Sequence, residues 1–168
     1  MNQQKHTLRV AIAQLDFLVG DIENNTQKVI DTALEVQQSD PVDVLVFPEL
    51  TLTGYPPEDL LYREGLYRRL DEALQIIAKA SKDLVLVVGY PVKTDAGVYN
   101  SAGVFAEGEL QAVYHKHELP NYSVFDEKRY FIAGTKPCVV TIKGVGTGIT
   151  ICEDIWYTEA VRISVDAG

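Results

Sequence analysis

Cysteine, basic charge and long apolar runs are all scarce in this chain. Two cysteines among 168 residues, Cys138 and Cys152, cannot make a disulfide framework. A reactive thiol would then be free, as in a reducing cytoplasm, which is the compartment expected. The 15 Lys and Arg are outnumbered by 24 Asp and Glu, for a net charge of −9. That balance argues against nucleic acid and against an anionic membrane surface as partners. No apolar run is long enough to span a bilayer, and the opening residues Met1–His6 lack the apolar core of a signal peptide. There is no internal repeat and no low-complexity segment. What remains is 46% hydrophobic, enough for one globular domain with a core of its own.

Periodicity divides the chain into strands with helices between them, then hairpins. Leu8 to Leu15, around Val10, Ile12 and Ala13, reads as a buried strand. Asp21 is placed to cap a helix from about Ile22 to Gln38, with Ile22, Thr26, Val29, Ile30, Ala33, Leu34 and Val36 mostly on one face. Ser39-Asp40-Pro41 stops it. Val42 to Phe47 is a second strand, Pro48 to Pro57 a loop of turn formers, and Leu66 to Ser81 a second helix. The aliphatic run Leu84 to Tyr90 is expected to be buried on both faces. After a turn at Lys93–Gly97, Val98–Ala106 and Glu109–Tyr114 read as an antiparallel pair joined at Glu107-Gly108. Pro137–Ile142 and Gly146–Cys152 read as another pair around Lys143-Gly144-Val145, and a last helix starts near Asp154. This order predicts a mixed α/β sheet.

Three of the predicted strands end in chemistry. Val44-Leu45-Val46-Phe47-Pro48 runs into Glu49, the strand through Tyr114 is followed by Lys116, and Cys152 stands where a strand gives way to a helix. Strand ends are where open α/β sheets build sites. A thiol before a helix N-terminus has backbone N–H groups beside it for an oxyanion, and that field eases its ionisation. Taken singly, Glu49 reads equally as a surface carboxylate, Lys116 as a solvated charge and Cys152 as a buried strand cysteine. Together they supply a base, an oxyanion-stabilising cation and a nucleophile. Gly144-Val145-Gly146-Thr147-Gly148 is no phosphate loop, because it precedes a strand rather than a helix. His115 and His117 lack paired cysteines, so no metal site is expected.

The three segments resemble the carbon–nitrogen hydrolase (nitrilase) superfamily, whose Glu-Lys-Cys triad occurs in this chain order. The stretches Gly54-Tyr55-Pro56-Pro57-Glu58-Asp59-Leu60-Leu61 and Leu119-Pro120-Asn121-Tyr122-Ser123-Val124-Phe125-Asp126-Glu127-Lys128-Arg129-Tyr130-Phe131, with Ile151-Cys152-Glu153-Asp154-Ile155-Trp156, are similar to its glutaminase branch, the glutaminase domains of glutamine-dependent NAD⁺ synthetases. The resemblance runs from Leu8 onward. It implies an α-β-β-α sandwich of which only the N-terminal portion is present, so that residues 1–168 form a truncated glutaminase domain.

The resemblance also implies roles. Glu49, Lys116 and Cys152 would be the triad acting on glutamine through a γ-glutamyl thioester. Glu127 would be a second glutamate that hydrogen-bonds Lys116 and positions substrate; the other reading is a loop salt bridge to Lys128 or Arg129. Tyr122 would lie beside the substrate, or else be an aromatic packing residue. Glu153 would lend its backbone N–H to the oxyanion hole, and the Glu153 and Asp154 carboxylates would suit the first turn of a helix. No cofactor is expected in this chain; ATP and magnesium would belong to an absent synthetase domain, whose glycine-rich loop is not in the sequence. The full-length protein is expected to be a homo-oligomer. Because the chain stops in mid-pattern at Asp166-Ala167-Gly168, the 168-residue piece is expected to show little turnover and to expose the apolar face of a half sandwich. A stand-alone amidase acting on another small amide, and a fragment that only packs or associates, are the other two readings.

Overall fold

Val44-Leu45-Val46 and Val85-Leu86-Val87-Val88 are aliphatic at every position, and both lie at the centre of the molecule, covered on two faces. The computed structural model describes residues 7–39 and 41–168. The sequence readings that rest on Met1–His6 and on Asp40 lie outside them. Among the described residues, the strands are β1 (Val10–Ile12), β2 (Val44–Val46), β3 (Val85–Thr94), β4 (Gly97–Ala106), β5 (Glu109–His115), β6 (Val139–Ile142) and β7 (Val145–Gly148). The α-helices are α1 (Ile22–Ser39), α2 (Glu64–Ala80) and α3 (Thr158–Ala167), with 3₁₀ turns at Glu58–Tyr62, Glu127–Arg129 and Cys152–Trp156. The first five strands form one sheet in sequence order, β1 to β3 parallel and β3 to β5 antiparallel; β6 and β7 form a separate hairpin.

Parallel neighbours in sequence order need right-handed crossovers, which put α1 and α2 on the same face of the sheet. There Val29 and Ala33 of α1 and Leu66, Leu70, Ala73 and Ile77 of α2 meet Leu45, Leu86, Val88 and Phe105. Ile77 is wholly buried, which stabilises the fold by roughly 1.5–3 kcal/mol. The opposite face presents Val44, Val87, Ala102, Val104 and Tyr114 to Cys138, Ile142, Ile149 and Ile151 of the hairpin and the segment after it. Helix α3 lies outside the hairpin, so close that a Cβ on Gly148 would stand 3.4 Å from that of Ser164. Helices, sheet, hairpin and helix give the α-β-β-α order in partial form.

Several sequence expectations change here. The first strand is short and lies at the sheet edge: Ala11 and Ala13 turn toward the helices, while Val10 and Ile12, the latter 79% exposed, point to the face the hairpin does not reach. Leu34 is on the solvent side of α1. Asp21 caps α1 as expected, its Oδ1 accepting from Asn24 N. Strand β3 runs on through Pro91 to Thr94, because β2 pairs only with Val85–Val87 and beyond it the missing proline N–H has no ladder to break. The last hairpin turns on Lys143-Gly144 alone, both at positive φ (47° and 79°), as in a type I′ turn. Its second strand ends at Gly148 rather than Cys152. After Ile149 N donates to Cys138 O, the next inward N–H, that of Ile151, goes to the Asp154 carboxylate instead of a strand. The final helix is correspondingly split into the Cys152–Trp156 turn and α3.

Candidate active site

Glu49 leaves the end of β2 on a backbone that crosses directly over Gly89 of β3. Phe47 N still donates to Val87 O (2.9 Å), and Leu52 N donates to Gly89 O (3.1 Å). Between them the loop lies so close that a Cβ on residue 89 would stand 2.4 Å from Leu50 N. Lys116 follows β5 with its N–H on Asn100 O (2.9 Å) and its carbonyl accepting from Gly134 N (2.8 Å). A Cβ on Gly134 would fall 2.2 Å from His115 O, so glycine is required for this approach too. Glu127 opens a 3₁₀ turn anchored by its own N–H on Pro120 O (3.1 Å) and by Phe131 N on its carbonyl (2.8 Å). Cys152 opens another at φ 48°, a conformation that aims a side chain out of a tight strand-to-helix turn.

These four side chains converge. Lys116 is 0% exposed, and its Nζ donates to Glu49 Oε1 (2.5 Å) and to Glu127 Oε1 and Oε2 (2.9 and 3.0 Å). The Cys152 thiol lies close enough to Glu49, Lys116 and the Glu153 N–H for each to act on its ionisation. Burial alone would lower the lysine pKa, but Glu49 and Glu127 outweigh it and the net shift is upward, so the ammonium is held charged. Burial and the neighbouring Glu49 raise Glu127, with Lys116 pulling the other way. Burial, then Glu49, also raise Cys152, against the opposing pull of Lys116 and the Glu153 N–H. The expectation that a helix terminus would ease this thiol's ionisation is therefore not met. The helix it opens is a short 3₁₀ turn, and the charge that acts on the thiol most strongly is a carboxylate.

Glu127 makes no bond to Lys128 or Arg129; Arg129 pairs instead with Asp126 at 3.8 Å. Tyr122 is half exposed and touches the cluster only through rings: it meets Phe125 edge-on, Phe125 tilts against Tyr55, and the Tyr55 hydroxyl donates to Glu127 Oε1 (3.1 Å). The Glu153 side chain is buried, with Oε1 accepting from Tyr157 (3.3 Å). Two buried side-chain atoms among the described residues have no partner, Glu153 Oε2 and Asn100 Oδ1. His115 stacks on Tyr99 (4.2 Å between centroids), while His117 reaches Lys136 O, so the two rings face different surroundings.

Sequence reasoning missed Asn100, whose Nδ2 donates to Glu49 Oε1 (2.6 Å). An amide among the apolar residues of β4 was a legible signal. It also missed Tyr55. Asp154 stands in the first turn of its 3₁₀ helix, as expected, but sequence reasoning did not find that its carboxylate is fully buried there and accepts four hydrogen bonds. A cavity of about 240 Å³, lined by Tyr55, Pro57, Glu127, Tyr130 and Phe131, lies behind Glu127. Another cavity, of about 490 Å³ around Val85, Val104 and Lys143, touches none of the four converging residues.

The family model for carbon-nitrogen hydrolases matches residues 9–168. The chain is 47% identical over 165 residues to a glutamine-dependent NAD(+) synthetase of Xanthomonas campestris pv. campestris, covering 97% of this chain and 30% of that protein. It is 46% identical over 163 residues to the enzyme of that name from Thermotoga maritima (96% and 28%). It thus spans about 30% of the length of the curated relatives it matches. Among solved structures, a glutamine-dependent NAD+ synthetase from Acinetobacter baumannii, in complex with ADP, superposes with a TM-score of 0.87 at 43% identity, over 92% of this chain and 29% of that one. A cysteine-to-alanine mutant of the Nesterenkonia AN1 amidase, of the nitrilase superfamily, shares the fold (TM-score 0.85, 23% identity, 96% and 62%). This chain belongs to the carbon–nitrogen hydrolase family.

Proposed function

We propose that the chain is a glutamine amidohydrolase module whose ammonia serves the amidation of deamido-NAD⁺ to NAD⁺. The observation that carries this reading is the buried Lys116 ammonium clamped between Glu49 and Glu127, with the Cys152 thiol within reach of their charges. The names of the relatives supply the substrate.

The neutral thiol gives its proton to Glu49 as the sulfur attacks the side-chain amide carbon of glutamine. The tetrahedral oxyanion is held by the Lys116 ammonium and the Glu153 N–H. Glu49 returns the proton to the departing nitrogen, ammonia leaves, and a γ-glutamyl thioester remains. Glu49 then takes a proton from water, the hydroxide adds to the thioester carbon, and collapse expels the thiolate, which recovers the proton. Glu127 keeps Lys116 charged and aimed. Tyr122, at the outer end of the ring contacts that lead to Glu127, flanks the substrate. These steps use side chains, one backbone N–H and water. ATP and magnesium serve the amidation carried by segments of the relatives that have no counterpart here. We place the module in the cytoplasm, as part of a homo-oligomer, without nucleic-acid or membrane partners. Consistent with the last point, no helix among the described residues is long and apolar enough to cross a membrane.

The test is release of ammonia and glutamate from glutamine by the full-length protein. Cys152→Ala abolishes it with the fold intact, and Lys116→Ala costs at least about 3 kcal/mol in kcat/KM. Turnover retained by Cys152→Ala would remove the nucleophile assignment, and turnover of other amides with none of glutamine would favour a stand-alone amidase.

A further inference from the structure

We infer that Asp154 is a positioning residue whose carboxylate sets Cys152 against Lys116 and Glu49. This rests on the roles proposed above for those three groups. Asp154 is 0% exposed, and no cation faces it among the ion pairs of the described residues. Its charge is met by donors alone, from two segments remote from each other along the chain. Oδ1 accepts from His117 N (3.1 Å) and Glu118 N (2.7 Å), the two peptide groups that follow Lys116. Oδ2 accepts from Ile151 N (2.9 Å), the residue before the nucleophile, and from the Tyr114 hydroxyl (2.8 Å) on β5.

The carboxylate therefore joins the residue preceding Cys152 to the residues following Lys116. Among the described residues, no other hydrogen bond joins these two segments. Upstream, Lys116 is already fixed by Asn100 O and Gly134 N. Asp154 supplies the fixed point downstream and transfers it to the turn that holds Cys152 at φ 48°. A residue kept in the left-handed region persists only where its surroundings enforce it. Here the enforcing bond is Ile151 N–H to Oδ2, backed by Asp154 N on Ile151 O (3.1 Å).

The chemistry of the acceptor decides which substitution is informative. Each oxygen takes two donors, so a carboxamide in this place turns one side into a donor. The Oδ1 side faces two peptide N–H groups, which cannot reverse. The Oδ2 side faces one such N–H and a hydroxyl, which can rotate to accept. Asp154→Asn therefore settles with its NH2 toward Tyr114 and Ile151, keeps the Lys116 side tied, and releases Ile151. Three of the four partners remain, Tyr114 now accepting, so the variant retains a buried, mostly satisfied side chain while the nucleophile's turn loses its anchor.

The experiment compares wild type, Asp154→Asn and Tyr114→Phe by the rate of Cys152 alkylation with iodoacetamide against pH, read by mass spectrometry, alongside glutamine turnover and thermal melting. In wild type, burial and the Glu49 carboxylate hold the thiol above its ordinary pKa, with Lys116 and the Glu153 N–H opposing. If Asp154 aligns the turn, Asp154→Asn lets the sulfur swing away from Glu49. The alkylation midpoint then moves down toward that of a free cysteine, while kcat falls about 100-fold with KM little changed. Tyr114→Phe, which keeps the three backbone bonds, shifts both in the same direction by less. A residue of merely structural importance lowers the melting temperature without moving the midpoint, and that outcome in Asp154→Asn overturns the inference. Should Asp154→Asn fail to fold, Tyr114→Phe decides alone: an unmoved midpoint overturns the inference, a lowered one upholds it. Because alkylation needs no glutamine, a shifted midpoint in a protein that does not hydrolyse glutamine would unseat the proposed substrate and leave the role of Asp154 standing.

Discussion

At the scale of single residues, the site is a problem of three charges and a thiol. Lys116 is wholly buried between two carboxylates, an arrangement in which the ammonium must offset both the cost of its own burial and the repulsion between Glu49 and Glu127. The Glu49 carboxylate has two opposed effects on Cys152. It is the proposed proton acceptor, and it also discourages the thiolate by its charge. These effects are separable. Glu49→Gln removes the base, so turnover falls by about 100-fold or more. It also removes the charge that raises the thiol's pKa, so alkylation of Cys152 at neutral pH becomes faster and its pH midpoint moves down. Slower alkylation, with the midpoint unchanged or raised, contradicts this account of the electrostatics. The identities of Glu49, Lys116 and Cys152 were legible in the sequence because each follows a recognisable strand and the three match a family pattern. The state of the thiol was not. It depends on Glu49, which is remote along the chain, and on the local backbone making a 3₁₀ turn rather than a longer helix whose dipole would favour the anion.

At the scale of elements, two glycines do the placing. Gly89 lets the loop after β2 lie on β3, and Gly134 lets its own segment approach His115 and Lys116. Gly89→Ala puts a methyl group against the backbone of Leu50, which has no flexible end to give way. The Glu49 loop must shift, and we expect kcat/KM to fall about 100-fold with a smaller loss of melting temperature, measured by glutamine turnover and a thermal scan. Unchanged turnover would mean that the loop's position does not set the site. Neither glycine stood out in the sequence, since Gly89 sits in an ordinary strand run and the backbone that crosses it belongs to another element. The helices and the β4–β5 hairpin were legible, because an amphipathic face and a turn pair are local signals. Strand ends were harder. β7 stops early because a side chain, Asp154, takes the N–H of Ile151, and the other donors to that carboxylate come from β5 and the segment after it. No reading of the local pattern around Cys152 could find them.

At the scale of the molecule, the layering of helices, sheet, hairpin and helix follows from which face each strand presents, and the α/β class was readable from element order alone. The edge position of β1 was not, because Val10 and Ile12 look like core residues in sequence and only the reach of the β6–β7 hairpin leaves them uncovered. Apolar side chains are likewise exposed at the far end, where Ile155, Val165 and Trp156, the last 75% exposed, border the nucleophile's turn and α3. The family assignment covers residues 9–168. The most direct measurement is intact mass and peptide mapping after treatment with a glutamine analogue that carries an electrophilic carbon in place of the amide nitrogen. The account predicts one adduct, on Cys152, suppressed by excess glutamine and lost in Cys152→Ala. No adduct, an adduct on Cys138, or labelling that glutamine does not suppress would contradict it.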